Sequence, residues 1–392
     1  MAIDLTVAGL DELHRRSSEK WSIHPPDVLS STIAEMDFPI AEPVARALHE
    51  AIDRNDLGYA PPLDRSLRRA FAAFAARRLA WTVDPEQVTV VPDVMLGLLE
   101  LCRLIVGPGD AIAFASPAYP PFTELLPRTG ARLVHVALHA DGRVDLGSLD
   151  DALAAGTRAL VLASPHNPTG HVSTHSELAA IAERCADRGV WVFADEIHAP
   201  LTLPGATFTA WLEVSDAARE IGVSLTSASK AFNVAGLKSA LVVTASEHGR
   251  ELVAGLGPQH DHSGLLGAIA AEAAFTDGDP WLDAVLAQLD SNRAWLTSEL
   301  PARLPGIAWR PPQATYLAWL DCAGLGLGDD PADVFLRGGR VALSRGLDYG
   351  PEGAGHVRLN FATSPEHLDE ALTRMRAASA TVRPRPDRPA AS

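Results

Sequence analysis

Four polar or aromatic residues that could share one ligand follow separate apolar runs of the chain. Asn167 lies in SPHNPTG, Asp195 ends WVFAD, Lys230 follows VSLTSA, and Tyr119 lies in SPAYPPF after AIAF. A lysine amine can bond to an aldehyde, a buried carboxylate can hold a ring nitrogen protonated, and an amide can donate to a hydroxyl. Each residue alone has an ordinary explanation, since NPTG is a common turn and an aspartate often caps a following segment. Their order and their shared position after predicted strands favour one common site.

A second set of residues offers the donors and the positive charge that a phosphate group needs. Ser227 supplies a hydroxyl and Lys238 an amine, one on each side of the lysine named above. The segment PDVMLGLLELC (92–102) is typical of a loop that enters a helix. The backbone amides near Val94 and Met95 are therefore expected to cradle a phosphate. Together, the two sets indicate pyridoxal phosphate as the ligand.

These residues fall in a block where short apolar runs alternate with helical patterns. Near-continuous apolar runs are typical of strands that are covered on both faces, and their alternation with helices predicts a mainly parallel α/β sheet. Ligands bind at the carboxyl ends of such strands, so we expect the site there. The predicted strands are 87–91, 111–114, 132–138, 159–164, 191–195, 223–228 and 239–245, and the predicted helices between them are 149–155 and 175–189.

The two ends of the chain differ from this central block. Residues 1–44 contain only short, irregular patterns, and 281–305 have a helical pattern. Two strand signals then precede a final helix. This pattern predicts a smaller α+β domain made from both ends of the chain. The predicted domains are 45–280 (large), 1–44 with 281–378 (small) and 379–392, a disordered tail rich in Pro, Arg and Ala.

The composition is that of a folded protein with an acidic surface. Of 392 residues, 47% are hydrophobic and 21% are charged, and the formal net charge is -16. Such a charge disfavours binding to nucleic acid or to an anionic membrane, so we expect neither as a partner. We expect a cytoplasmic protein, because the N-terminus lacks a signal pattern, no uncharged apolar run reaches ~18 residues, and three cysteines lie far apart. Neither a zinc pattern nor GxGxxG occurs, so no metal or nicotinamide site is expected.

Four motifs resemble the signatures of fold-type I pyridoxal-phosphate enzymes of the class I/II aminotransferase superfamily: PHNPTG, ADEIH, SASKAFNVAGLK and VRLNFA. Three further features resemble its MalY/PatB branch of cystathionine β-lyases. They are KW followed by IAEMDFPIAEPV (33–44), DEIH with His198 where true aminotransferases usually carry Tyr, and ATYLAWLD (314–321). The resemblance extends from about residue 11 to residue 378 and implies the fold of these PLP-dependent transferases.

The resemblance implies a role for each residue of the predicted site. Lys230 would bond the cofactor aldehyde, and Arg358, in VRLNFA, would bind the substrate α-carboxylate through its planar guanidinium. Tyr59, in DLGYAPP, would reach the cofactor phosphate of the neighbouring subunit, which implies a homodimer with shared active sites. His198 either lines the site or is a packed histidine. The other implied cofactor ligands are Asp195 (ring nitrogen), Asn167 (ring hydroxyl), Tyr119 (ring face) and Ser227 (phosphate). We also expect Asn167 to contact the substrate and Tyr119 to take part in catalysis.

Two positions depart from the pattern expected of the family. Lys238 stands where many aminotransferases have Arg. A lysine ammonium carries its charge on one nitrogen, so the phosphate would lack the planar, two-point donor geometry of a guanidinium. Gln313 precedes ATYLAWLD where Glu is expected, and no mechanistic conclusion follows from it.

The favoured function is β-elimination from L-cystathionine or another cysteine S-conjugate, which gives a thiol, pyruvate and ammonia. An aminotransferase acting on an L-amino acid and a 2-oxo acid is the alternative, because it uses the same residues. A third alternative is a catalytically silent regulator, since lyases of this branch resemble proteins that also contact a transcription factor. The complete set of Lys230, Asp195 and Arg358 argues against that third alternative. The identity of the leaving group does not follow from the sequence.

Overall fold

The computed structural model of the chain describes residues 3–61, 65–257 and 263–381. The chain forms two compact units. The large unit consists mainly of Pro39–Gln288 and also takes in Gln313–Thr315, whereas the small unit consists of Thr6–Phe38, Leu289–Pro312 and the chain from Tyr316 onward. Within the described ranges, no helix is both long and apolar enough to cross a membrane.

Helices and strands alternate through most of the described chain. In chain order the strands are β1 (Leu29–Ser31), β2 (Val88–Val91), β3 (Ala111–Ser116), β4 (Arg132–Ala137), β5 (Thr157–Ala163), β6 (Trp191–Asp195), β7 (Gly222–Thr226), β8 (Ala240–Val243), β9 (Ala308–Trp309), β10 (Leu317–Asp321), β11 (Val341–Arg345) and β12 (His356–Asn360). In chain order the α-helices are α1 (Leu10–Leu13), α2 (Glu19–Ser22), α3 (Glu42–Asp53), α4 (Arg65–Arg78), α5 (Val94–Ile105), α6 (Pro120–Leu125), α7 (Leu146–Ala154), α8 (His175–Ala186), α9 (Asp216–Ile221), α10 (Ala228–Ala231), α11 (Glu247–Ala254), α12 (Leu265–Asp277), α13 (Asp279–Arg303), α14 (Pro331–Gly339) and α15 (Pro365–Thr381).

A seven-stranded sheet forms the centre of the large unit, with the strand order β2-β8-β7-β6-β5-β3-β4. Strands β4, β3, β5, β6 and β7 run parallel to one another, and β8 is antiparallel to both β7 and β2. Phe114 of β3 and Phe193 of β6 are fully buried in one core cluster with Leu98 of α5, because the sheet face is covered by this helix. The predicted mainly parallel α/β sheet is thereby confirmed.

Strand β7 ends earlier than the sequence predicts. It stops at Thr226 because the Ser227 hydroxyl accepts a hydrogen bond from the Ser229 amide at 3.0 Å and so caps a helical turn, α10. The predicted strand over 223–228 therefore includes two residues that belong to the start of α10. As a result, Lys230 lies in a helical turn directly beyond the carboxyl end of β7.

The small unit contains a five-stranded sheet with the order β1-β11-β12-β10-β9. Strand β1, from the N-terminal part of the chain, pairs in parallel with β11, where Leu29 lies opposite Val341. The other pairs are antiparallel. This pairing confirms an α+β unit built from both ends of the chain.

The final helix is longer than the sequence predicts. It runs to Thr381, so residues 379–381 are helical, whereas the sequence predicts a disordered tail from residue 379 onward. The buried side chains Leu368, Leu372, Met375 and Ala378 recur every three or four residues, so the apolar face of the helix reaches almost to its end. The rest of the predicted tail, 382–392, lies outside the described residues.

Candidate active site

The parallel strands of the large unit end side by side, and the predicted site residues follow them. Strands β5 and β7 both pair with β6, whose last residue is Asp195. Asn167 follows β5, Lys230 follows β7 and Tyr119 follows β3. The fold therefore brings these four residues to one edge of the sheet, and their roles toward a cofactor stay predictions.

Asp195 is a buried carboxyl group at this edge. The residue is 7% exposed, and its Oδ1 accepts a hydrogen bond from the Ile197 amide at 3.2 Å. Burial raises the pKa of Asp195 to about 6, although the Ile197 hydrogen bond and the charge of Lys230 act in the opposite direction. A cationic N–H would return the electrostatic stabilisation that burial removes. A protonated pyridine nitrogen fits this carboxyl.

Lys230 is half-buried in the single turn of α10. The turn is anchored by Ser227, whose hydroxyl accepts from the Ser229 amide and donates to the Ser239 carbonyl at 2.6 Å. A helix of four residues has little stability of its own, so these two contacts hold the lysine's backbone in place. Because Ser227 already makes both contacts, a phosphate would share its hydroxyl with the Ser239 carbonyl.

The loop after β5 carries Asn167, which is buried. The neighbouring His166 is also buried, with its Nδ1 2.9 Å from the Thr169 hydroxyl, and its carbonyl accepts from the Gly170 amide at 2.7 Å. Burial lowers the pKa of His166 to about 3, so this imidazole is neutral at physiological pH. The loop is thus closed by uncharged hydrogen bonds on both sides of Asn167.

Gln313 holds the same loop from a distant part of the chain. Its backbone amide donates to the Gly170 carbonyl at 2.9 Å, and its side-chain Oε1 accepts from the Val172 amide at 3.0 Å. We call residues 313–315 the strap. The position at which the sequence departs from the expected Glu therefore makes a structural contact with the Asn167 loop.

The strap also holds the segment that follows β6. The Gln313 carbonyl accepts from the Leu203 amide at 2.9 Å, and the Thr315 amide donates to the Leu201 carbonyl at 3.0 Å. Thr315 is fully buried and has a φ of 72°, in the left-handed region that β-branched residues rarely adopt. Strained backbone of this kind persists where the surrounding contacts impose it, and here the strap joins two loops.

The predicted phosphate ligands at the start of α5 are joined by a carboxylate that sequence reasoning missed. The Asp93 Oδ1 accepts from the Met95 amide at 2.9 Å and caps α5, and its Oδ2 accepts from the Lys238 Nζ at 3.0 Å. Asp93 also lies close enough to raise the pKa of Asp195. An aspartate directly before an apolar helical run is an N-cap signal that could have identified it. The amine and helix N-terminus fit a phosphate, with Asp93 beside it.

Two more buried ionisable residues follow Asp195. The Glu196 Oε1 accepts from the Trp211 amide at 2.6 Å, and burial raises the pKa of this glutamate to about 8. His198 is 4% exposed and precedes a short helical turn that begins at Ala199. Burial of His198 is compatible with both predicted alternatives, a residue lining the site and a packed histidine.

Arg358, the predicted ligand of the substrate carboxylate, lies on β12 of the small unit. Its Nη2 donates to the Thr32 carbonyl at 3.1 Å and to the Ser344 hydroxyl at 3.3 Å. Its Cζ lies 5.1 Å from the centre of the Tyr349 ring. These contacts fix the plane of a buried guanidinium, as two-point binding of a carboxylate requires.

Tyr59, predicted to serve a neighbouring subunit, lies on the surface of the large unit. It is 95% exposed, so its ring makes almost no contact with the described part of its own chain.

Comparison with known proteins agrees with the resemblance found in the motifs. The family model for aminotransferase class I and II matches residues 27–375. Cystathionine beta-lyase from Corynebacterium glutamicum is 35% identical over 367 residues, which cover 93% of this chain and 98% of that protein. Cystathionine beta-lyase PatB from Bacillus subtilis (strain 168) is 33% identical over 359 residues, which cover 90% of this chain and 92% of that protein.

A solved structure is similar over the same extent. The PLP-bound C-S lyase from Staphylococcus hominis has a TM-score of 0.87 and 26% identity, and the match covers 94% of this chain and 97% of that one. The family model spans far more than half of the sequence, and both named relatives exceed 30% identity over most of it. The chain therefore belongs to the class I and II aminotransferase family.

Proposed function

We propose that this chain is a pyridoxal-phosphate-dependent carbon–sulfur β-lyase. It cleaves L-cystathionine or a related cysteine S-conjugate, with the uptake of one water, to a thiol, pyruvate and ammonia. The observation that carries the proposal is the buried carboxyl of Asp195 beside the charge of Lys230 at the sheet edge. Relatives named cystathionine beta-lyase that align over nine-tenths of the chain support the choice of reaction. When bound, pyridoxal phosphate supplies an electron sink for the substrate Cα.

Lys230 moves the proton in this reaction. Its Nζ, once unprotonated, removes the proton from the substrate Cα as general base. Asp195 stays ionised above pH 6 and holds the ring nitrogen protonated, because its pKa lies near that value. The carbon–sulfur bond then breaks, and its electron pair leaves with the sulfur.

The remaining residues orient the reactants. Arg358 holds the α-carboxylate by two parallel hydrogen bonds, and its own plane is fixed by Thr32, Ser344 and Tyr349. With the cofactor bound, Asn167 would donate to the ring hydroxyl, and Tyr119 would cover the ring face. Lys238 and the amides that begin α5 receive the phosphate.

We propose that the enzyme is a cytoplasmic homodimer with shared active sites. The 95% exposure of Tyr59 supports a role in a second subunit, since the ring has almost no contact with the described residues of its own chain. Cys102, Cys185 and Cys322 are unpaired and buried, which supports a reducing compartment. The net charge of -16 supports a small-molecule substrate over nucleic acid.

The test is to incubate the purified enzyme with L-cystathionine, without a 2-oxo acid, and to measure pyruvate and free thiol together. We expect equal rates of formation of both products. If neither forms, and amino transfer begins once a 2-oxo acid is added, the chain is an aminotransferase that uses the same residues.

A further inference from the structure

Asp93 contacts two of the groups that are expected to bind the cofactor phosphate. Its Oδ1 accepts from the Met95 amide at 2.9 Å, and its Oδ2 accepts from the Lys238 Nζ at 3.0 Å. A carboxylate and a phosphate both present several anionic oxygens to N–H donors, so they suit the same donors. The Met95 amide has a single hydrogen, which cannot serve both acceptors at full strength.

We propose that Asp93 competes with the cofactor phosphate for the Met95 amide and the Lys238 amine, and thereby weakens the binding of pyridoxal phosphate. This inference rests on the proposed function, because pyridoxal phosphate is the ligand concerned. A carboxylate and a phosphate that approach the same two donors also repel each other. The Lys238 ammonium has three hydrogens and can donate to both anions, but its single positive charge is then shared between them.

The charges around Asp93 strengthen the argument. Asp93 raises the pKa of Asp195, so the two carboxyl groups act on each other at the same sheet edge. Lys230 opposes this effect by lowering the pKa of Asp195. The edge thus contains two carboxyl groups before a phosphate enters, and Asp93 is the one that contacts the predicted phosphate donors.

The capping function of Asp93 can be separated from its charge. Asparagine is as good an N-cap as aspartate, so Asp93→Asn retains the cap of α5 and removes the negative charge. A matched control is Asp145→Asn, since Asp145 caps α7 by accepting from the Gly147 and Ser148 amides at 2.8 and 3.0 Å. Asp93→Ser is the second test variant if the asparagine variant does not fold.

The experiment measures how tightly pyridoxal phosphate and pyridoxal bind to the cofactor-depleted full chain. Pyridoxal has the same ring without the phosphate, so it reports effects that do not involve the phosphate. We expect Asp93→Asn to bind pyridoxal phosphate about fivefold more tightly than the unsubstituted chain, as for removal of one partly exposed charge. The affinity for pyridoxal changes less than that for pyridoxal phosphate, and Asp145→Asn changes neither affinity.

Three results decide against the competition. Equal or weaker binding of pyridoxal phosphate by Asp93→Asn overturns it, because the carboxylate then either has no effect or helps to place Lys238. An equal gain for pyridoxal also overturns it, because the effect then does not act through the phosphate. If the unsubstituted chain binds neither compound, the proposed function itself fails, and this inference fails with it.

Discussion

Two consecutive carboxyl groups, Asp195 and Glu196, are given different charges by the same burial. The pKa of Asp195 is raised to about 6 and that of Glu196 to about 8. At neutral pH the first is therefore mostly ionised and the second mostly protonated. Environments that separate two neighbouring pKa values in this way assign the groups different tasks. Asp195 can stabilise a cationic ring nitrogen. Glu196 is neutral and accepts a hydrogen bond from the Trp211 amide.

Substitution of Glu196 by Gln tests this assignment through stability. The glutamate ionises at its ordinary 4.5 when unfolded and at about 8 when folded, so folding stability is lost as pH rises between these values. We expect Glu196→Gln to be more stable than the unsubstituted chain by on the order of a few kcal/mol at pH 8. The difference shrinks toward pH 5 and levels off above pH 8. Urea unfolding across this pH range measures it.

The control is the exposed Glu124, on α6. Glu124→Gln is expected to shift stability by less than about 0.5 kcal/mol at any pH in that range. A Glu196→Gln difference that does not depend on pH contradicts the prediction, because a packing change alone has no proton linkage.

The residue types of the site could be predicted from the sequence, and one of their contacts could not. Asn167, Asp195 and Lys230 were found because each follows an apolar run. The N-cap signal of Asp93 indicates its contact with the start of α5 but nothing about Lys238. Its contact with Lys238 joins residues 145 apart in sequence, and only the folded sheet brings those segments together.

At the scale of elements, the strap replaces regular secondary structure as the support of two loops. It makes one isolated antiparallel bridge, between Thr202 and Ala314, and further hydrogen bonds join it to Gly170 and Val172 of the Asn167 loop. The Asn167 loop depends on it, because a loop without ladder partners is free to open locally.

Substitutions of Gln313 test the strap. Gln313→Ala removes the acceptor of the Val172 amide, and we expect a loss of about 1 kcal/mol of folding stability and faster amide exchange at 170–172. Gln313→Glu keeps an acceptor oxygen and is the matched control, with exchange close to that of the unsubstituted chain. Hydrogen exchange followed by mass spectrometry measures both. Equal exchange in the alanine variant contradicts the role of this side chain.

Predictions at the scale of elements succeeded where apolar periodicity was sufficient. All seven strands of the large sheet were predicted, because each is a short apolar run between turn signals. The end of β7 was wrong by two residues because the serine cap competes with continued strand pairing. The strap could not be predicted, since the Gln313 side chain meets Val172 across a separation of 141 residues.

At the scale of the whole molecule, the proposed dimer with shared sites predicts that two impaired variants complement each other in a mixed dimer. Lys230→Ala and Tyr59→Ala are each expected to be strongly impaired as homodimers. Mixed dimers contain one site with an intact Lys230 from one subunit and an intact Tyr59 from the other. We expect unfolding and refolding of an equal mixture to restore about a quarter of the sites, because half of the dimers are mixed.

Lyase activity of the mixture relative to each parent measures this complementation. A mixture without more activity than its parents contradicts shared sites. Refolding each variant alone controls for losses during refolding.

The contacts of the strap also determine the order in which parts of the site can form during synthesis of the chain. A chain is made from its N-terminus, so the Asn167 loop leaves the ribosome long before Gln313 exists to hold it. Until Gln313 has been made, the Gly170 carbonyl and the Val172 amide lack their partners in the strap. A nascent chain that already carries Lys230 and Asp195 therefore still has an unfinished loop. The part of the predicted cofactor pocket around Asn167 can be completed only after Gln313 has been made.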